Sequence, residues 1–443
     1  MTEDEFIADA LAFLRGRIGE WDGHIDGDTE LVESGILDSL LILEFFFYLE
    51  QLRGSALEPF ETSVRRGDLD DAEGVRVGGQ PTRPVRGEAM TDTAQLREAG
   101  WRQARLCDKN GSPTYVALID ALVARLGSTC PVAGLLSADQ AEPVRSAMYL
   151  RLLGAVHRCA LADPASPLRA YYPTLGGRVD PTGVVGPFFA YATENLARVA
   201  AEMRAPVQTN EVGRGAPLSA AMNYVASVTA LPLRLLEVGC SAGLNLWLDR
   251  FFVTADGASW GPPESPLRLT GHFAAGAPPV HRYVVAERRG CDPSPLDIRD
   301  PRVPHLLRSF IWPEHVERLC RLDAALAVAP QAPPATIDTA DACSWAGRMT
   351  RTLPVGAATV VYHSMVLPYL SPAEHERFGG LIRDHGRAAG RKRPLVWVSL
   401  EPTDDDDNVM ELTCEVWPDG ERTLLARSTP HGTRIRWNPE PVT

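Results

Sequence analysis

The spacing of apolar positions changes along the chain, and the changes divide it. Residues 3–19 place Phe6, Ile7, Ala10, Leu11, Phe13, Leu14 and Ile18 on one stripe, which predicts an amphipathic helix. A polar loop over 20–29 leads to a second helix over 40–52, with Asp38-Ser39 at its N-cap and Gly54 past its end. Residues 68–73 fit a short last helix, and 77–90 (VGGQPTRPVRGEAM) have no apolar period and read as a flexible linker. Three-and-four spacing returns at 115–126, 144–159 and 187–203, with proline breaks at Pro164, Pro167 and Pro173. Beyond Pro206 short apolar runs predict strands at 233–238, 283–287, 335–337, 359–363 and 395–400. Helices are expected at 218–229, 304–307, 314–329 and 372–389. That alternation predicts an α/β fold with a Rossmann-like, doubly wound parallel sheet. Strands at 411–417, 422–427 and 433–437, with turns at Asp419-Gly420 and His431-Gly432, suit an antiparallel finish. The domains read as an α-helical bundle over 1–80, a linker over 81–94, a helical N-terminal subdomain over 95–205 and the sheet domain over 206–443.

Composition adds little to this for the large domain and much for the small one. The chain is 45% apolar and 23% charged, ordinary soluble globular material. The apolar run over 36–49 is interrupted by Asp38 and Glu44, so no membrane span is expected. The acidic start, MTEDEF, does not suit a secretory signal, and a cytoplasmic protein is expected. Eight scattered cysteines include no Cys-x-x-Cys pair, which predicts free thiols and no metal site. Residues 1–80 hold 19 acidic residues against 6 arginines, while 81–443 balance at 38 of each sign. The whole net charge of −13 therefore lies in the N-terminal module. This disfavours nucleic acid as its partner and favours a basic protein surface.

The run Glu33-Ser34-Gly35-Ile36-Leu37-Asp38-Ser39-Leu40, in an acidic module of 80 residues, resembles an acyl or peptidyl carrier protein. The resemblance implies that Ser39 is esterified with 4′-phosphopantetheine, whose thiol holds an acyl or aminoacyl group. It also implies a phosphopantetheinyl transferase and a carrier-loading ligase as partners, and a carrier that docks on the large domain. A phosphate on Ser39 would lie at a helix N-terminus, where dipole and free amides favour it.

The large domain turns on residues 233–248, LRLLEVGCSAGLNLWL. An apolar strand runs into the small-residue turn Gly239-Cys240-Ser241-Ala242-Gly243, and a helical run over 244–248 is expected after it. Two chemistries use such a turn. As Gly-x-Ser-x-Gly it is a nucleophile elbow, with Ser241 attacking, Asp338 or Asp341 as the acid, and His363 or His431 as the base. As Glu-x-Gly-x-x-x-Gly it is a nucleotide turn. A third reading makes the turn a packing device and the domain a non-catalytic docking platform for the carrier.

Seven segments together carry a family resemblance: Gly111-Ser112-Pro113, Tyr171-Tyr172-Pro173, residues 209–214 (TNEVGR), residues 237–246, Gly290-Cys291-Asp292, Tyr362-His363-Ser364 and Pro430-His431-Gly432. They are similar to the bacterial domain of unknown function 2332 over about 95–437. The sheet motifs further resemble class I S-adenosylmethionine methyltransferases. That resemblance implies a turn of Glu237, Gly239, Ser241 and Gly243 beneath the nucleoside, Asp292 on the ribose hydroxyls, and Asp341 with Ala342 on the adenine side. The 360–371 stretch then corresponds to the strand that ends at the reaction centre. His363 or Glu211 is the candidate base for the acceptor, and Asn210 and Arg214 line the acceptor pocket. The inserted segment 251–279, with Trp260, is expected to form a lid. On this reading the enzyme acts on a group tethered to its own carrier domain, by methyl transfer or related sulfonium chemistry.

Overall fold

The computed structural model describes residues 93–138, 143, 144, 146–403 and 408–442. The N-terminal module, with Ser39, lies outside the described residues. The described chain belongs to one unit, Gly87–Thr443. Among the described residues no helix is long and apolar enough to cross a membrane.

The unit opens with helices α1 (Thr93–Lys109), α2 (Pro113–Val123), α3 (Pro131–Ala138), α4 (Met148–Leu161), α5 (Val185–Glu194) and α6 (Leu196–Glu202). The predicted helix over 187–203 is thus two, broken where Asn195 leaves helical geometry. Leu118, Ile119, Leu122, Tyr149, Leu152 and Phe188 meet in a core of their own. Pro113 opens α2 at a position where a missing N–H costs nothing.

Helix α7 (Gly215–Thr229) leads into the sheet. Its strands are β1 (Leu233–Val238), β2 (Phe252–Ala255), β3 (Ala258–Trp260), β4 (Arg268–Leu269), β5 (Phe273–Ala275), β6 (Val285–Asp292), β7 (Thr336–Thr339), β8 (Ala358–Ser364), β9 (Leu395–Pro402), β10 (Met410–Trp417), β11 (Glu421–Ser428) and β12 (Ile435–Pro441). Between them lie α8 (Val303–Ser309), α9 (Val316–Val328), α10 (Ala342–Thr350) and α11 (Pro372–Arg387). Nine strands form one sheet in the order β5-β12-β11-β10-β9-β8-β1-β6-β7. Pairing is parallel from β7 to β9 and antiparallel from β9 to β12, as the alternation and the closing hairpins predict.

Alternate residues of the central strands go to opposite faces. Leu233, Leu235, Val360, Tyr362, Val396 and Val398 pack with α7 and α9. Leu236, Val238, Val361, Leu395 and Trp397 pack with α10 and α11. Covered on both faces, β8 is buried from Ala358 to His363 around the apolar run Val360-Val361-Tyr362. Taken in chain order, the parallel strands run 3-2-1-4-5, so the order reverses between β1 and β8. In such sheets ligands bind outside the carboxyl ends of the strands at that switch point.

Three expectations need correction. The helix after the glycine turn is a seven-residue 3₁₀ segment, Leu244–Arg250, interrupted at Trp247. The inserted segment is not a lid. It folds as the small sheet β3-β2-β4, and Trp260 is buried with its Nε1 donating to Ser219 Oγ on α7 at 3.0 Å. Finally, the strand predicted over 283–287 begins at Val285 and runs on through Arg288 and Arg289 to Asp292. Arg288 donates to Asp249 at 2.5 Å and Arg289 makes a two-pronged bond to Asp338, so the strand carries them with their charge met. Asp292 is consequently the last residue of β6, directly beside the turn.

Candidate active site

The turn after β1 needs left-handed backbone at three residues: Gly239 (φ 68°), Ser241 (φ 53°) and Gly243 (φ 71°). Glycine takes this region freely, while serine must be held there. The hold comes from Asp292, whose Oδ2 accepts the Ser241 N–H at 2.9 Å, and from Gln208, whose Oε1 accepts the Ser241 hydroxyl at 2.5 Å. The two glycines do different work. A Cβ on Gly239 would meet Val366 at 2.5 Å on the groove side, and one on Gly243 would meet Ile337 of β7 at 2.6 Å inside the fold. Gly243 therefore packs the turn and does not line the groove.

A groove of about 450 Å³ lies over this turn, within the usual size range of small-molecule sites. Glu237, Gly239, Ser241, Asp292, Asp341 and Ala342 line it, together with Asn210, Glu211 and Arg214. Acidic residues thus stand at or just past the ends of β1, β6 and β7. Glu237 is 3% exposed, and burial pushes its carboxyl up to about 8. Its nearest donor is the Tyr362 hydroxyl at 3.4 Å, a weak contact. Asp292 holds the turn with one oxygen and takes the Ser294 N–H on the other at 2.9 Å. Asp341 caps α10 through the Ser344 N–H at 2.9 Å, a bond that draws its carboxyl below the ordinary value.

Residues 209–214 form the opposite wall. Asn210 Oδ1 accepts the Leu244 N–H at 2.9 Å, which ties this wall to the turn. Arg214 donates from Nε to the Pro430 carbonyl at 2.9 Å and from Nη1 to the Ser364 carbonyl at 3.3 Å. Glu211 is fully enclosed. Its Oε1 accepts the Gly213 N–H at 3.0 Å, and its Oε2 accepts Arg318 Nε at 2.7 Å and His431 Nδ1 at 3.1 Å. Burial pushes this carboxyl up, but Arg318, His431 and Arg214 outweigh it and hold it well below the ordinary range. A carboxylate so held is a poor proton acceptor. Glu211 orients its neighbours instead.

His363 also departs from its expected place. It is 0% exposed and does not line the groove. Its Nδ1 donates to Glu401 at 2.5 Å and its Nε2 accepts the Trp397 indole N–H at 2.9 Å, so both ring nitrogens are engaged inside the fold. Glu401 in turn accepts the N–H groups of Val366 and Leu367 at 3.0 and 3.3 Å. This network fixes the loop after β8, where Met365 sits at φ 57°, a strained position for a side-chain-bearing residue.

A second cavity of about 380 Å³ adjoins the groove. Val207, Thr209, Arg214, Met365 and Tyr369 line both. Its walls are mostly apolar, with Tyr115, Phe310 and Trp312 contributed by the helical subdomain and the α8–α9 connection, and His431 at one side. His431 reaches the site because two loops interlock. A Cβ on Gly213 would strike the His431 carbonyl, and one on Gly432 would strike the Gly213 carbonyl. The sequence offers His431 as a base only for Ser241, and its pairing with Glu211, 220 residues away, was not foreseen. The available signal was that both lie in short glycine-bearing motifs, TNEVGR and PHG.

Ser241 has no histidine partner here: its hydroxyl is on Gln208, His363 is on Glu401 and Trp397, and His431 is on Glu211. Among the described residues no group of three or more His, Cys, Asp or Glu is placed to hold a metal ion.

Fold and groove define an α/β protein with a doubly wound sheet and a ligand-sized cleft at its switch point. The chain belongs to the bacterial family described as "uncharacterized protein conserved in bacteria", domain of unknown function 2332, which matches residues 97–437. Comparison with curated proteins and with solved structures found no match.

Proposed function

We propose that the groove over Gly239 binds S-adenosylmethionine and that the protein transfers its methyl group, or uses its sulfonium in related chemistry, on a ligand in the adjoining cavity. The observation that carries this reading is the set of acidic side chains at three consecutive strand ends, Glu237, Asp292 and Asp341, around a glycine turn. A phosphate-bearing dinucleotide suits such a groove poorly. Arg214 is its one lining cation among the described residues, and the 3₁₀ segment of seven residues offers little dipole to a pyrophosphate. A nucleoside with hydroxyls, an ammonium and a sulfonium suits it well. Asp292 keeps acceptor capacity for ribose hydroxyls beyond its two backbone bonds, Glu237 lies deep enough to meet an ammonium, and Asp341 and Ala342 bound the base end. The bound sulfonium supplies an electrophilic carbon. The chain's own work is to orient both ligands and to exclude water.

Calorimetry with S-adenosylmethionine and its demethylated product tests this. Asp292→Asn is expected to weaken binding roughly tenfold to a hundredfold, the value of a hydrogen bond to a charged group. Absence of binding by either compound, with hydrolysis of a loaded thioester that depends on Ser241, would instead favour the elbow reading.

The carrier assignment completes the proposal. Ser39 holds the acceptor on a phosphopantetheine arm, and the tether raises its concentration at the site. Incubation with a phosphopantetheinyl transferase and coenzyme A is expected to add one arm to the intact mass, and Ser39→Ala to prevent it. An unchanged mass in the parent chain would sink this part alone.

A further inference from the structure

We propose that the second cavity binds an apolar, ring-bearing weak acid of the phenol or enol class, and that His431, oriented by Glu211, accepts its acidic proton. Within the proposed transferase this ligand is the methyl acceptor, and that identification rests on the reading above. The binding and proton steps do not.

The size and walls of the cavity set the class of ligand. Leu106, Tyr115, Phe310, Trp312, Met365 and Tyr369 offer apolar and aromatic surface to a planar ring. Trp312 is already stacked on His315, with centroids 5.3 Å apart and planes at 25°, so one aromatic wall is fixed in place. The polar side of the cavity is basic, with Arg214, Arg318 and His431 lining it. Arg214 uses Nε and Nη1 on backbone carbonyls, and its Nη2 has no hydrogen-bond partner among the described residues. An anion left after proton loss therefore has a guanidinium beside it.

The dyad sets the proton chemistry. Nδ1 of His431 donates to Glu211 Oε2 at 3.1 Å, which fixes the tautomer with its lone pair on Nε2. Among the described residues Nε2 has no hydrogen-bond partner, and the ring lines the cavity. The groups facing His431 are Glu211, Arg214, Arg318 and His315, whose ring meets it edge-on at 6.0 Å, with His272 one residue away on the Gly432 carbonyl. Burial and Arg318 hold the imidazole below its ordinary value, while Glu211 pulls it the other way. The ring is neutral near pH 7 and ready to accept. In the step, the ligand O–H bond breaks, the electron pair stays on oxygen, and the proton moves to Nε2. Glu211, held ionised by Arg318, stabilises the imidazolium that forms. This is the arrangement of a base with its orienting carboxylate, reached here without a serine nucleophile.

The test uses the full chain and 4-nitrophenol as the probe, without S-adenosylmethionine. Saturable quenching of tryptophan fluorescence, lost in Trp312→Phe, reports binding in this cavity. The phenolate absorption band reports the proton. In the parent chain the bound probe is expected to ionise about one pH unit lower than the free probe, a tenfold shift. His431→Asn keeps an amide N–H for Glu211 and removes the ring with its basic Nε2. It is expected to bind the probe within about threefold of the parent, a difference below 1 kcal/mol, and to lose most of the ionisation shift, keeping only the part that Arg214 contributes. Glu211→Gln is expected to lose most of it. Absence of saturable quenching in the parent, or an equal shift in His431→Asn, overturns the proposal. Calorimetric binding of S-adenosylmethionine should be unchanged in His431→Asn, so failure of the groove reading and failure of this one are read separately.

Discussion

Arg318→Met is expected to lower the unfolding free energy by about 3–5 kcal/mol at neutral pH, because it strands a buried carboxylate. Arg318 donates to Glu211 at 2.7 Å and to His315 Nδ1 at 2.9 Å, and both partners of the ion pair are nearly sealed from water. His315 in turn donates to the Asn110 carbonyl of the helical subdomain at 3.0 Å. The pH dependence distinguishes a stranded charge from a simple loss of packing. In the parent chain the Glu211 carboxyl is held below its ordinary value of 4.5. Its contribution is present above that value and fades as pH falls through the folded pKa. Without Arg318, burial dominates and the carboxyl moves up. The unfolded chain then ionises first as pH rises above 4.5, so the variant loses stability with increasing pH over a range where the parent's contribution is already complete. Urea unfolding between pH 5 and pH 8 should show the gap between the two proteins widening towards alkali. The double variant with Glu211→Gln should recover part of the loss, since neither charge is then left alone. A gap that stays constant with pH would mean that packing around the arginine stem, and not the ion pair, is what Arg318 contributes.

The architecture was legible wherever burial and period agree. Strands β1, β8 and β9 are covered on both faces and carry short runs of apolar residues that mark them in the sequence. The lines of side-chain chemistry were less legible, for reasons that lie in pairing across the chain. Arg288 and Arg289 interrupt the apolar run until Asp249 and Asp338 are seen beside them, which is why the predicted strand stops at 287 and not at Asp292. His363 looks like a base on a strand end. Its neighbours Val361 and Tyr362 are core residues of opposite faces, and that alternation places the imidazole inside the fold, under α11. The expected α-helix after Gly243 failed for a local reason: the turn must pass Ile337 closely and the chain breaks again at Trp247. The interlock of Gly213 with Gly432 was not visible at all. Nothing in either hexamer or tripeptide states which other loop it meets, only that its backbone is approached closely.

Glu237→Gln is expected to make the protein more stable than the parent above pH 7, and by more as pH rises. The carboxyl lies at the end of the central strand, buried, with one long bond from Tyr362, and its pKa stands near 8 against an ordinary 4.5. Between those two values the unfolded chain has released a proton that the folded chain still holds. Stability is therefore lost with rising pH across this window, by ~1.4 kcal/mol per unit and on the order of 5 kcal/mol in all. Glutamine, neutral throughout, carries no such loss. Unfolding free energies of the two proteins should converge near pH 5 and separate by several kcal/mol at pH 8, and parallel profiles would show Glu237 to be ionised across the range. The same residue links stability to ligand. A cationic ligand beside Glu237 favours the carboxylate, so binding near pH 7 must release a proton. Calorimetry of S-adenosylmethionine in buffers of different ionisation enthalpy should report close to one proton released by the parent and a smaller number by Glu237→Gln. A buried acid that costs stability at neutral pH in the free protein, and is drawn into its charged form by the ligand, makes the strand end a site that is completed by its cation. A plain core position would show the pH-dependent stability and no proton release.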